Sequence, residues 1–289
     1  MMNLKTVSKI AAGVVLAFGA VSSASAISIE GGDLKITFNA YDAGTIGYGD
    51  TTGIKCTSVA SCDAAAAYPA PNAMGSEDTW GIFSVQSITK KSDGSLLFTA
   101  GQGGQYLTGM FGGLSDTLVD VAGAITPATT AAATGGWLNM YLSGQNYNSS
   151  FGPSGRIGAT GYNGITNVPG GTLALSAVFG AGVLGGQPQY TYLSSFANNT
   201  ISGGGQGFLD VTGGSMQDKF NTNAQFDPNG GAHDLFLKVT YGQTDASRSA
   251  LWTVDATGDV QGKALPEPAS LALFGLGLAG LAALRRRRA

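Results

Sequence analysis

Glycine supplies 46 of the 289 residues, about twice the usual share of roughly 7%. A glycine in a helix interior costs about 1 kcal/mol relative to alanine, so a chain this rich in glycine is a poor builder of long helices. The apolar residues between the glycines recur with the period of a strand. Leu34, Ile36, Phe38 and Ala40 alternate with Lys35, Thr37, Asn39 and Tyr41, which puts the first set on one face of a pleated strand. Leu235, Leu237, Val239 and Tyr241 repeat the pattern, and Trp137–Leu142 alternates as well. Trp80–Ile88 and Ser95–Ala100 flank Lys90-Lys91-Ser92-Asp93-Gly94, whose Asp-Gly marks a hairpin turn. Tyr106–Leu114, Thr172–Phe179, Gln189–Leu193, Phe208–Thr212 and Leu251–Val254 read as further strands. The fold class expected is all-β: an antiparallel β-sandwich of about nine strands with long Gly-rich loops. An irregular open β-barrel is the second choice.

One short helix is expected, near Leu114–Val121. Asp42–Ser76, the Thr/Ala/Gly tract Thr126–Gly136 and Asn146–Pro169 read as loops. The first of these carries the only two cysteines, Cys56 and Cys62. In an oxidising compartment they are expected to form a disulfide. No fixed-period repeat stands out.

Residues 1–26 have the layout of a secretory signal peptide. Lys5 and Lys9 form a basic start, Ile10–Val21 an apolar stretch, and Ala24-Ser25-Ala26 a cleavage site that leaves Ile27 as the mature N-terminus. The body, residues 27–264, is therefore exported. Two of the 15 basic residues belong to the leader, and four arginines and one glutamate to the tail. The body keeps 9 basic and 17 acidic residues, a net charge of −8. Nucleic acid is a poor partner for such a surface, because it demands a basic footprint.

The tail, residues 265–289, has three parts. Pro266-Glu267-Pro268 is held extended by its prolines. Ala269–Leu284 carries no charge and as a transmembrane helix would span about 24 Å, slightly less than a ~30 Å hydrocarbon core. Arg285, Arg286, Arg287 and Arg288 follow and would stay cytoplasmic. This order resembles the PEP-CTERM sorting signal of Gram-negative bacteria. The Gram-positive sortase signal fits less well, since Leu265-Pro266-Glu267-Pro268-Ala269 lacks the Thr-Gly at which that cut occurs. The resemblance implies processing by an exosortase, a transient stay in the inner membrane with the body periplasmic, and delivery to the cell surface or extracellular matrix. It also implies a structural or adhesive role with exopolysaccharide in biofilm or floc. A glycan-binding module and a polysaccharide-acting hydrolase of the same matrix are the alternatives.

Catalytic residues are expected to be none. The single histidine, His233, reads as a surface residue beside the turn Asn229-Gly230-Gly231, and there is no Gly-x-Ser-x-Gly elbow. One histidine cannot make a usual zinc set, so no metal and no cofactor is expected. Asp116 and Asp120 would share a face of the short helix. Asp227-Pro228-Asn229-Gly230 and Asp255-Ala256-Thr257-Gly258-Asp259 read as turns rather than calcium loops, since neither has the closing glutamate.

Overall fold

The computed structural model describes residue 29 and residues 31–42, 48–49, 72–73, 79–121, 128–147, 171–197, 202–244 and 254–265. The strands are β1 (Gly32–Asp42), β2 (Tyr48–Gly49), β3 (Asn72–Ala73), β4 (Thr79–Lys90), β5 (Leu96–Thr99), β6 (Tyr106–Val121) and β7 (Ala128–Ser143). They continue with β8 (Thr172–Gly180), β9 (Tyr192–Ala197), β10 (Ser202–Gly213), β11 (Gln225–Phe226), β12 (Ala232–His233), β13 (Leu235–Gln243) and β14 (Val254–Ala264). The single α-helix among the described residues is Gln217–Phe220.

The main sheet runs β1-β14-β13-β10-β8-β7-β6-β4, and β4 pairs back onto β1. This is a closed eight-stranded barrel, not the expected sandwich. The alternation read from the sequence was right, but a sandwich wall and a barrel wall share the same inside-outside period. Closure depends on β1 finding partners on both of its edges, and no local pattern encodes that. The closing seam pairs the two ends of the body, from Gly32↔Ala264 through Asp42↔Val254.

The slot between β7 and β10 is filled twice. β8 pairs with Trp137–Leu142 of β7 and β9 with Ala128–Ala133. Together β8 and β9 act as one strand, interrupted by the outward excursion 181–191.

Leu34, Ile36, Phe38 and Ala40 point inward, as do Leu235 and Leu237, and Val239 and Tyr241 pack against the same core. Met140, Leu175, Phe179, Leu209, Val211 and Val260 complete much of the filling. An eight-stranded barrel is just wide enough for side chains to fill, so large inward residues need small ones opposite. Phe38 faces Gly258 in the β1–β14 ladder, and Phe83 faces Gly109 in the β4–β6 ladder. In both pairs the ring occupies the place of the missing Cβ. The glycines therefore belong to the walls as well as to the turns. Met216 and Phe220, on and beside the short helix, close one end of the core.

The β4–β5 hairpin is as expected. Lys90 N–H bonds Ser95 O at 2.9 Å and Gly94 adopts φ 73°. Other expectations fail. Leu114–Val121 is strand, not helix, because it pairs with β7 as far as Val121↔Thr129. That pairing also draws most of the Thr/Ala/Gly tract into β7. Asp116 and Asp120 consequently sit on a strand. Asp255–Asp259 is strand rather than turn, laddered to β1 and β13 on its two sides. The expected transmembrane helix is not part of the described fold: no described helix is long and apolar enough to cross a membrane, and Ala269–Leu284 lies outside the described residues. So do Cys56 and Cys62 with their expected disulfide, and residues 1–26 with the cleavage site at Ala24, Ala26 and Ile27.

Candidate functional site

Two places bring chemistry together. The first is the rim at which the C-terminal tail leaves the barrel. Ala264, the last residue of β14, is buried, and Leu265 N–H donates to Lys219 O of the short helix at 2.8 Å. The helix is held in turn by Phe220, which is 1% exposed in the core, and by the carboxylate of Asp234. Asp234 Oδ1 accepts from Thr222 N at 2.6 Å and Asn223 N at 2.8 Å, and its Oδ2 accepts from Val211 N at 2.7 Å. Pro266, Glu267 and Pro268 begin one residue beyond this anchored point, and lie with Arg285, Arg286, Arg287 and Arg288 outside the described residues.

The second place is on the outside of the wall, under the excursion between β8 and β9. His233 is 6% exposed, a correction to its expected place at the surface. Its ring stacks on Phe208 with centroids 4.9 Å apart and planes 24° apart. Nδ1–H donates to Asp210 Oδ1 at 2.8 Å and Nε2–H to Asp227 Oδ2 at 3.1 Å. Carboxylate oxygens only accept, so both bonds form together when the ring is protonated, as an imidazolium. Burial on its own disfavours that charge. The hydrogen bonds and charges of Asp210 and Asp227 outweigh it and hold the pKa above the ordinary 6.5. Burial pushes Asp227 upward. The bonds from His233 and from the backbone N–H groups of Gly231 and Asn229 override that and set its pKa below the ordinary 3.8.

The sequence makes room for this cluster with glycine. A Cβ at Gly180 would collide with His233 and Asp210, and one at Gly182 or Gly231 with Asp227. Asp227 Oδ1 accepts from Asn229 N at 2.6 Å and Gly231 N at 2.9 Å, an Asx turn of the expected kind. Asn229 then ties the turn to the excursion. Its Nδ2 donates to Gly182 O at 2.9 Å and Leu184 O at 3.1 Å, and its Oδ1 accepts from Gly186 N at 2.8 Å. Beneath lies an apolar layer of Ala132, Val183, Tyr190 and Phe208. The result is a clasp that pins residues 181–191 to the wall. Every ring nitrogen is spent on a carboxylate, and no group of three or more His, Cys, Asp or Glu among the described residues is placed to hold a metal. Sequence reading missed the clasp because its three ionisable members are 6 to 23 residues apart. The Asp-Pro-Asn-Gly-Gly-Ala-His-Asp run and Gly180-Ala-Gly182 were the visible signals.

A third feature is a shallow groove of about 500 Å³ on the outer wall, lined by Lys35, Thr37, Asn39, Lys238, Thr240 and Asp259 among others.

Compared with known proteins, residues 264–288 match the PEP-CTERM protein-sorting motif. No curated protein and no solved structure gives a match to the chain. The matched segment starts on the last residue of β14, so the motif is joined to the barrel without a linker. The tail is thus a sorting motif read by an exosortase, and it marks an exported protein sorted to the outside by way of the membrane.

Proposed function

We propose that the barrel is a non-enzymatic structural or adhesive component of an extracellular polysaccharide matrix, delivered there by exosortase processing. The observation that carries this reading is the PEP-CTERM motif at residues 264–288, joined directly to a compact barrel. The one histidine supports a role without catalysis, because it is buried and both of its nitrogens are bound to carboxylates. Catalysis by that ring would need a nitrogen facing a substrate.

The outer-wall groove favours a second reading, a glycan-binding module. Its Thr37, Asn39, Thr240 and Asp259 side chains offer donors and acceptors suited to sugar hydroxyls. The full chain, processed in an exosortase-bearing strain and purified from the medium, is tested on a panel of bacterial polysaccharides. Neither retention nor sugar release supports the structural role. Retention alone supports the binding module, and release of sugar would overturn the non-enzymatic reading.

A further inference from the structure

The turn that closes the clasp contains a chemically labile pair, Asn229-Gly230. The chain has one other Asn-Gly pair, Asn163-Gly164, which lies outside the described residues. In such a pair the main-chain nitrogen after the asparagine can attack the side-chain amide, and glycine, having no Cβ, leaves that nitrogen unscreened. The turn depends on both residues. Gly230 adopts φ 87°, and no atom beyond its chain neighbours lies within 4 Å of a Cβ placed there. Backbone conformation rather than space therefore selects glycine. Asn229 is selected by its amide, which can donate and accept at once. Both residues are exposed, so water reaches them.

The closed clasp holds the pair in an unreactive arrangement. Nδ2 of Asn229 is spent on Gly182 O and Leu184 O, and its Oδ1 on Gly186 N. The attacking group, Gly230 N–H, donates to Asp227 O at 3.1 Å. Cγ of Asn229 cannot swing onto the Gly230 nitrogen until these bonds part. They are kept by the anchoring of Asp227 to His233, whose other nitrogen is held by Asp210. Residues 181–191 bring no charged side chain to the ring. Asp234, next to His233 in sequence, turns both oxygens to the amides of Val211, Thr222 and Asn223. Lys238 Nζ lies over Phe236, 5.4 Å from its centroid, and Phe236 packs on Phe208. A neutral ring would have one proton for two carboxylates, and Asp227, with a side chain 3% exposed against 40% for Asp210, is the one that loses most by being left unpaired.

We propose that Asn229 is a deamidation site latched by the clasp, and that its conversion releases residues 181–191 irreversibly. When the clasp opens, the Gly230 nitrogen bonds to Asn229 Cγ, the Cγ–Nδ2 bond breaks, and Nδ2 leaves as ammonia with the proton that Gly230 N carried. Water then adds to one carbonyl of the cyclic imide. Opening on one side gives aspartate, and opening on the other gives isoaspartate with the backbone routed through the side chain. One water enters and one ammonia leaves. Neither product can donate to Gly182 O or Leu184 O, since a carboxylate only accepts. It also sets a second negative charge two residues from Asp227. The clasp then has no bond with which to close again, and the apolar layer of Ala132, Val183, Tyr190 and Phe208 loses its cover.

The test is peptide mapping of the aged full chain by mass spectrometry, scoring asparagine, aspartate and isoaspartate at positions 229 and 163. Asn163 is the internal reference, because the intrinsic dependence of the reaction on hydroxide is common to both pairs and cancels in the ratio of their rates. Conversion at Asn229 should be slower in the folded protein than in urea by about tenfold or more, since several hydrogen bonds must part first. The ratio of Asn229 to Asn163 should rise between about pH 6 and pH 8 as His233 loses its proton, and should rise by about tenfold in His233→Ala at the lower pH. Should His233→Ala not fold, Asp210→Asn, which keeps an acceptor for Nδ1–H but removes its charge, carries the comparison. A ratio that stays within about twofold across pH and in the variant, or conversion of Asn229 as fast in the fold as in urea, would show that the clasp is no latch. The product is tested with Asn229→Asp, in which amide exchange at Gly182 should accelerate by about tenfold while β13 keeps its protection. Exchange at Gly182 unchanged in that variant would overturn the release.

Discussion

The side chain of Tyr192 occupies the place that a Cβ on Gly205 would fill. The two are diagonal neighbours across the β9–β10 ladder, where Tyr192 pairs with Gly207 and Gly205 with Ser194. Tyr192 also meets Phe179 edge-on at 6.0 Å. The phenol ring thus lies along a glycine stripe of β10, and the barrel interior is filled by one large residue reaching over two small positions.

Gly205 has no positive φ, and the three atoms nearest its Cβ position all belong to Tyr192. Gly205→Ala should therefore destabilise the barrel by about 1–3 kcal/mol through overpacking alone. Urea unfolding of Gly205→Ala, Tyr192→Leu and the double variant measures this. The double variant should be more stable than the sum of the two losses implies by about 1 kcal/mol or more. Simple additivity would show that the ring and the glycine are not coupled.

The clasp gives the second prediction. Removing the His233 ring leaves Asp227, whose side chain is 3% exposed, without its cationic partner. His233→Ala should cost about 3 kcal/mol of stability and should release the excursion. Amide exchange at Gly182, bonded to Tyr190 O, and Gly186, bonded to Asn229 Oδ1, should accelerate more than exchange in β13. Uniform acceleration, or none, would leave the clasp without a local role.

The third prediction concerns pH. The folded pKa of His233 is raised, so its contribution to stability is full below the ordinary value of 6.5 and is lost as pH rises through the folded value. Asp227 is lowered, so its contribution is present above 3.8 and is lost as pH falls through the folded value. The clasp should thus be tightest between about pH 4 and 6.5 and loosen toward alkaline pH. The chain has one histidine, so a proton NMR titration of its ring reports this directly. A midpoint at or below 6.5 in the folded protein would contradict the ion-paired arrangement.

How much of this was legible in the sequence depends on the range of the interaction involved. The inward faces of β1 and β13 could be read because alternation is a property of neighbouring residues. The hairpin at Asp93-Gly94 could be read because turn chemistry is local. Leu114–Val121 was misread because its apolar spacing suits a helix and a strand equally, and pairing with β7 decided between them. The closed barrel was not legible, because it rests on β1 meeting β4 and β14 at once. Asp210 and His233, 23 residues apart, are joined by the same long-range register. The sorting motif is the opposite case, recognisable because its parts are contiguous in sequence.

That contiguity sets the last prediction. Pro266-Glu267-Pro268 follows the anchored Leu265 directly, and Glu267 is the one charged residue of the tripeptide. Glu267→Ala changes nothing in the described barrel, which ends at residue 265, so folding and secretion should be unaltered. Recognition by the exosortase should fall, since the two prolines constrain the backbone but offer no charge. The loss should appear as accumulation of an unprocessed, membrane-associated form and a matching fall in the released form, by about tenfold or more if one charge-assisted contact is lost. The measurement is the size and location of an epitope-tagged body in strains with and without exosortase. Wild-type protein should be shortened and released only where the enzyme is present, and Glu267→Ala in that strain should resemble wild type in the strain without it. If wild-type protein keeps an intact tail in both strains, the motif is not a processing signal in this chain.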